Sequence, residues 1–310
     1  MPERSRPPGR VAPPDPSRRV GDDLRGPAQA RSAWQLEALW QQLEPLLPGL
    51  TVELLDSVDS TNTELIARAR SSAGRRQADA LPALLLAEQQ TRGRGRQGRE
   101  WQSSRGASLT FSLALPLAPA SWSGLSLAVG VALADALDEI DTPGSVPRLG
   151  LKWPNDLWLL DAPASALLGR KLAGVLIETA AVGNRRLCVV GVGINVLPLR
   201  TPGTLSSGHA ALSELVPPRS AAQALHAVAA PLVRALLRFQ AKGFAPFMPA
   251  YARRDLLLGQ AITTTLPELP HGVAQGVDDS GALCVQDTAT PPRTHRVSSG
   301  EVSVRLASNT

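Results

Sequence analysis

Cysteine, lysine and aromatic residues are all scarce in this 310-residue chain. Its two cysteines, Cys188 and Cys284, stand singly in apolar, strand-like runs and have no metal-ligand spacing. That argues against a disulfide framework or a thiolate metal site, and implies reduced thiols and a cytoplasmic setting. No run of 18 or more apolar residues is present, so the sequence holds no candidate membrane span. The arginine-rich start also lacks the apolar core of an export signal. Only three lysines occur, Lys152, Lys171 and Lys242, and arginine fills nearly every other basic position. Where such a chain keeps lysine, a compact ammonium is suggested.

The net charge is +5 and the pI near 10.0. Most of that charge belongs to one end. Residues 1–32 hold seven arginines against Glu3, Asp15, Asp22 and Asp23, leaving only +2 for the remaining 278 residues. The same stretch carries seven prolines and almost no large apolar residue, which predicts a disordered tail. Basicity is therefore weak evidence for nucleic-acid binding.

The richest stretch is Ala87–Trp101, AEQQTRGRGRQGREW. Four arginines (Arg92, Arg94, Arg96, Arg99) alternate with Gly93, Gly95 and Gly98, and no acid lies between them. Glycine lets backbone N–H groups approach a ligand, and arginine supplies a planar fork for carboxylate or phosphate. Read literally, the glycines spell G-x-G-x-x-G. A dinucleotide site needs a helix opening at that loop, yet a further loop and the strand-like Ser108–Leu115 follow instead. A solvated basic loop also fits these residues.

In chain order, the pattern predicts a helix at Ala33–Leu47, a strand at Thr51–Leu55, and DSVDSTN (Asp56–Asn62) leading into a helix. From spacing alone, Ser60, Thr61 and Asn62 read first as an ordinary N-cap. Strands are predicted at Leu81–Gln90 and Ser108–Leu115, and a helix at Trp122–Ile140. Two strands meet at Pro154-Asn155-Asp156, and Asp161–Arg170 reads as a surface loop. Strands at Lys171–Thr179 and Arg186–Val196 precede a long loop at Leu197–Gly208 and helices at Ser220–Ala241 and Phe244–Arg253. After Gly259, short strands separated by turns predict a small all-β module. Paired strands without regular βαβ alternation indicate an α+β domain, not a doubly wound sheet.

Five motifs then occur in order. They are Asp59-Ser60-Thr61-Asn62, AEQQ with GRGRQGREW, Lys152-Trp153-Pro154-Asn155-Asp156, KLAGVLIE (Lys171–Glu178), and GVGINV (Gly191–Val196). With the terminal GEVSVR, Gly300–Arg305, they resemble the biotin–protein ligases from about Leu54 to Leu306. The resemblance implies a class II aminoacyl-tRNA synthetase-like catalytic core, a mixed sheet with helices, and a C-terminal SH3-like β-barrel. The implied domains are a tail (1–32), a catalytic biotin- and ATP-binding domain (33–258) and the SH3-like module (259–310). It further implies ATP with Mg²⁺, biotin as substrate, and a biotin carboxyl carrier domain as acceptor.

By motif, Ser60, Thr61, Asn62 and Gln90 would bind the ureido head of biotin. Arg94, Gly95 and Arg96 would close over biotin and the adenylate. Lys152 would sit against the biotin carboxylate and the α-phosphate. Lys152, Arg94 and Arg96 are thus the implied catalytic residues. Arg99 and Lys171 are implied phosphate contacts, and Asn195 a contact to nucleotide or metal; no metal ligands are assigned. The same motifs leave structural readings open, with Trp101 packing under the loop and Asn155 and Asp156 forming only the turn. The arginine loop is expected to order over a bound adenylate. Some members add an N-terminal DNA-binding domain, whereas here only about 50 residues precede the core, so no specific DNA binding is expected. No membrane partner is expected, and homodimerisation stays open. A lipoate–protein ligase would share the core chemistry. A nucleic-acid binder would leave Lys152 and the motif residues without a role.

Overall fold

A computed structural model describes residues 24–71, 81–139, 146–161, 169–198, 208–215, 219–298 and 304–306. The N-terminal elements are β1 (Leu24–Arg25), α1 (Ala28–Ala33), α2 (Leu36–Leu43), β2 (Thr51–Leu55) and α3 (Thr61–Ser71). Next come β3 (Ala83–Ala87), β4 (Ser108–Pro116), α4 (Leu125–Leu137), β5 (Leu149–Lys152), β6 (Asp156–Leu160), β7 (Gly169–Val182) and β8 (Arg185–Asn195). The helices α5 (Ala221–Lys242) and α6 (Met248–Ala252) follow. The chain closes with β9 (Ala261–Thr264), β10 (His271–Val277), β11 (Leu283–Gln286), β12 (Thr294–Val297) and β13 (Val304–Leu306).

Eight strands form one mixed sheet in the order β1-β2-β3-β4-β8-β7-β6-β5. The β1–β2 and β2–β3 pairs are parallel and all the others antiparallel. Strand β4 shows why the two faces differ. Leu109, Phe111, Leu113 and Leu115 point into the main core, which also takes in residues of α2, α4 and α5. The alternate residues Ser108, Thr110 and Ser112 carry hydroxyls, as the two-residue period of a strand requires. That second face packs against α3 through a small cluster of Leu65, Ile66, Ala69, Ala114 and Val189. A strand apolar on one side and hydroxyl-bearing on the other supplies core and site at once.

Some predicted boundaries move. Residues 24–33, within or beside the Pro/Arg-rich stretch assigned to the tail, form β1 and α1. Leu24 and Ala30 pack on the core, and backbone pairing with β2 orders a segment that has little apolar surface of its own. The rest of the predicted tail, 1–23, lies outside the described residues, as do 162–168 and 199–207 of the two predicted loops. The helix predicted from Ala33 is broken at Gln35, whose φ of 50° is left-handed. The break lets Trp34 turn inward and donate its Nε1–H to Glu88 Oε1 at 2.7 Å.

The C-terminal strands pair antiparallel in the order β12-β11-β10-β9-β13. Among the described residues this is an antiparallel row of five strands, the small all-β module expected, and no closing pair is seen. Turn spacing gives the number of strands, whereas closure depends on tilt and stagger, which the spacing does not encode. This module seats on the core beside the Lys152–Asp156 motif. Trp153 Nε1–H donates to Gly281 O at 3.2 Å, and a β-carbon added to Gly281 would lie 2.5 Å from Gly124 Cα.

Candidate active site

The site lies on the hydroxyl-bearing face, over β4, β8 and β7. Its floor is made of glycine. Ser112 pairs with Gly191 and Thr110 with Gly193, and Gly193 pairs in turn with Gly174. Without β-carbons there, two side chains lie directly on the backbone. A β-carbon on Gly191 would come 2.3 Å from Asn62 Oδ1, and one on Gly193 would come 2.4 Å from Trp101 Cε2. Trp101 thus packs flat beneath the arginine loop, over Gly193 and Gly174.

Ser60, Thr61 and Asn62 open α3 and are buried. Ser60 Oγ accepts from Thr63 N–H at 3.4 Å, so the N-cap reading of this residue holds. Thr61 N–H donates to Gln90 Oε1 at 2.8 Å, and Thr61 Oγ1 lies 3.1 Å from the same oxygen. Asn62 Nδ2 donates to Leu176 O at 3.2 Å and to Glu178 Oε2 at 3.0 Å. Ser112, fully buried, lies 2.6 Å from both Thr61 Oγ1 and Asn62 Oδ1. The residues predicted for one end of the ligand do come together. Ser112 and Glu178, which complete their network, were not predicted to take part; the Ser108, Thr110, Ser112 alternation was the available signal.

The arginine loop folds as a narrow hairpin. Gly95 N–H donates to Arg99 O at 2.7 Å and Trp101 N–H to Gly93 O at 2.9 Å, and the backbones of Arg94 and Glu100 pair antiparallel. The tip is a turn at Arg96–Gly98, with Gln97 at φ 56° and Gly98 at φ 70°. No helix opens there, which removes the dinucleotide reading. Arg92 forms an ion pair with Asp59, and this gives it a place at the root of the loop. The Asp59 carboxyl is held below its ordinary range, chiefly by that hydrogen bond. Arg94 reaches back to Thr63 Oγ1 and Glu178 Oε1, both at 3.3 Å. Arg96 reaches Asn155 Oδ1 at 3.5 Å.

A cluster of cations surrounds Asp156. Lys171 Nζ lies 2.7 Å from Asp156 Oδ1 and 5.8 Å from the Trp101 ring centre. Lys152 Nζ stands 4.7 Å over the Trp158 ring. Burial pushes the Lys152 ammonium down from its usual range; Asp156 opposes this, while Lys171, Arg99 and Arg305 add to it. Arg96 is likewise lowered by burial, against the pull of Asp156. Asp156 thus pairs with Lys171 and attracts Lys152 and Arg96, while Arg99 and Arg305 act on Lys152. Fixed positive charge gathered in this way suits an anion. Arg305 comes from β13, far along the chain, and its part could not be read from local sequence.

Asp156 and Asn155 do more than turn the chain. Asn155 Nδ2 donates to Val175 O at 2.8 Å and fixes the turn to β7. Buried Asn195 donates to Ala210 O at 3.2 Å and Lys171 O at 3.4 Å. Its amide nitrogen therefore ties residue 210 to the backbone of Lys171. Among the described residues, no group of three or more His, Cys, Asp or Glu could hold a metal.

The sequence model of the Biotin/lipoate A/B protein ligase family matches residues 54–195, and that of the Biotin protein ligase C terminal domain matches 257–305. The biotin--[acetyl-CoA-carboxylase] ligase of Mycobacterium tuberculosis is 32% identical over 303 residues, covering 94% of this chain and 97% of the relative. This chain belongs to the biotin–protein ligase family. The ligase is also 32% identical to the bifunctional ligase/repressor BirA of Escherichia coli, over 86% of this chain and 78% of that protein. Among solved structures, it resembles a biotin protein ligase from Aquifex aeolicus in complex with biotin and ATP. The TM-score there is 0.65 and the identity 28%, covering 83% of this ligase and 99% of that chain.

Proposed function

We infer that this ligase activates biotin with ATP and transfers the biotinyl group to a lysine of a biotin carboxyl carrier domain. In the first step a biotin carboxylate oxygen attacks the α-phosphorus, and pyrophosphate leaves with the electrons of the broken P–O bond. In the second, the carrier amine attacks the biotinyl carbonyl, AMP leaves, and the amine loses a proton. Both steps call for positioning and charge neutralisation, not a covalent enzyme intermediate.

The observation that carries this reading is the cation cluster about Asp156, adjoining a buried hydroxyl and amide network on a glycine floor. The two halves differ as the two ends of biotin differ. A cyclic urea needs donors and acceptors in a desolvated site, which Ser60, Thr61, Asn62 and Gln90 offer. The carboxylate must approach a phosphate of like sign. Lys152, Lys171, Arg96 and Arg99 lower that repulsion and stabilise charge developing on the phosphoryl oxygens. The lowered basicity of Lys152 comes chiefly from burial, the same desolvation that strengthens its pull on an anion. Arg94 and Gly95 form the side of the loop nearest the urea end. Asn195 acts by fixing the backbone of Lys171. Mg²⁺ accompanies the triphosphate and supplies further neutralisation of its charge.

The C-terminal domain match and the relatives' names support biotin, and no observation favours lipoate. Incubation with ATP, biotin and a carrier domain is expected to add one biotinyl group, at one lysine, by intact-mass and peptide mapping. Modification with lipoate and not biotin would overturn the reading.

A further inference from the structure

Glu178 sits on β7 with its two carboxylate oxygens facing different partners. Oε2 accepts from Asn62 Nδ2 at 3.0 Å, and Oε1 lies 3.3 Å from Arg94 Nη2. A carboxylate only accepts, and so does the Leu176 carbonyl that meets the same Asn62 nitrogen. The Asn62 amide therefore has one orientation, its nitrogen toward β7 and its oxygen toward Ser112.

The polarity propagates from there. Ser112 Oγ is 2.6 Å from both Asn62 Oδ1 and Thr61 Oγ1, but it owns a single proton. Asn62 Oδ1 cannot donate, so the Ser112 proton goes to it. The equally short contact to Thr61 then takes the Thr61 proton, since Ser112 at 2.6 Å is nearer than Gln90 Oε1 at 3.1 Å, and Thr61 Oγ1 keeps only lone pairs to offer. Thr61 N–H holds Gln90 Oε1 at 2.8 Å. The donor end of that amide, Nε2, is thereby turned toward Gly93, where an added β-carbon would lie 3.1 Å away. Thr61 thus offers an acceptor and Gln90 a donor, the complement of the N–H and C=O of a cyclic urea.

We propose that Glu178 is the positioning residue that sets this polarity, acting through Asn62 and Ser112, and that its pairing with Arg94 joins the urea site to the arginine loop. The inference rests on the biotin-ligase reading, with Thr61 and Gln90 at the urea. It commits a half-buried residue of a strand motif to biotin recognition, not to phosphate chemistry.

The test uses Glu178→Gln, which keeps the shape, removes the charge and introduces a donor, and Ser112→Ala, which removes the relaying hydroxyl. Initial rates of pyrophosphate release are measured in the full-length protein with carrier domain in excess. Biotin is varied at saturating ATP, then ATP at saturating biotin. Each variant is expected to raise KM for biotin about tenfold or more, the scale of a lost charge-assisted hydrogen bond. KM for ATP and the thermal midpoint are expected to stay close to those of the unaltered protein. The double variant should fall short of the product of the single effects, because both act on one chain of bonds. A purely structural role would move both KM values and the midpoint together, and that result would overturn the proposal. So would an unchanged KM for biotin in either variant, or effects that multiply fully. If Glu178→Gln does not fold, Ser112→Ala decides the matter alone. If the unaltered protein releases no pyrophosphate with biotin, the function reading fails and this inference with it. If it does release pyrophosphate and the variants keep its KM, only this inference fails.

Discussion

A β-carbon added at Gly191 would stand 2.3 Å from Asn62 Oδ1, closer than real atoms approach. The glycine serves neither a turn nor a positive φ; it lets a buried amide lie on the sheet. Gly191→Ala must displace Asn62 from Ser112 and Glu178, at a cost of about 1–3 kcal/mol for an overpacked site. The expected result is a raised KM for biotin in pyrophosphate-release assays, with KM for ATP little changed. An unaltered KM for biotin would mean that Asn62 is not needed at the urea end. Much of this scale was legible from sequence, because scarce lysine and unusual spacing mark it: two of the chain's three lysines, Lys152 and Lys171, and the glycine-spaced arginines Arg94, Arg96 and Arg99. Ser112 was legible only as one of three hydroxyls at alternate positions of β4. In a strand reading SLTFSLAL a serine is ordinary, and only its facing partners on α3 and β8 give it a role. Glu178 and Arg305 were hidden for the same reason, since their partners lie far away in sequence.

Between elements, one buried arginine does what no local pattern announces. Arg254, 2% exposed, donates to Asp135 Oδ1 at 3.0 Å, Asp138 Oδ2 at 2.8 Å and Leu149 O at 3.0 Å. It fastens the end of α4 to β5, the strand that ends at Lys152. Asp138 Oδ2 also accepts from the N–H groups of Arg148 and Leu149 at 3.0 and 2.9 Å. Arg254→Met would leave that carboxylate buried without its cation, and breaking one side of such a pair costs about 3–5 kcal/mol. A loss of that size should appear as a lower denaturant midpoint with the slope unchanged. A midpoint like that of the unaltered protein would show that the anchor is dispensable. Helices and strands were readable here from apolar periodicity, as in α5 and β8. Strand order was not, because the joining of β4 to β8 is set by partners some 80 positions apart, as in Ser112 with Gly191.

For the whole molecule, the sheet and the C-terminal module together present one cluster of positive charge to a ligand. Lys171 from β7, which pairs with Asp156, Arg99 from the loop and Arg305 from β13 all act on Lys152 of β5, and Asp156 and Arg99 act on Arg96. Net charge gave no hint of this, because most of it belongs to the first 32 residues. Convergence of this kind matters only if the ligand brings two anions together, as a carboxylate attacking a phosphate does. Without carrier present, that half-reaction should stand alone. The most direct measurement is therefore pyrophosphate release from ATP, with biotin and separately with lipoate, in the absence of any carrier. Release is expected with biotin, with loss of that release in Lys152→Ala. Release with lipoate alone, or with neither acid, would contradict the account.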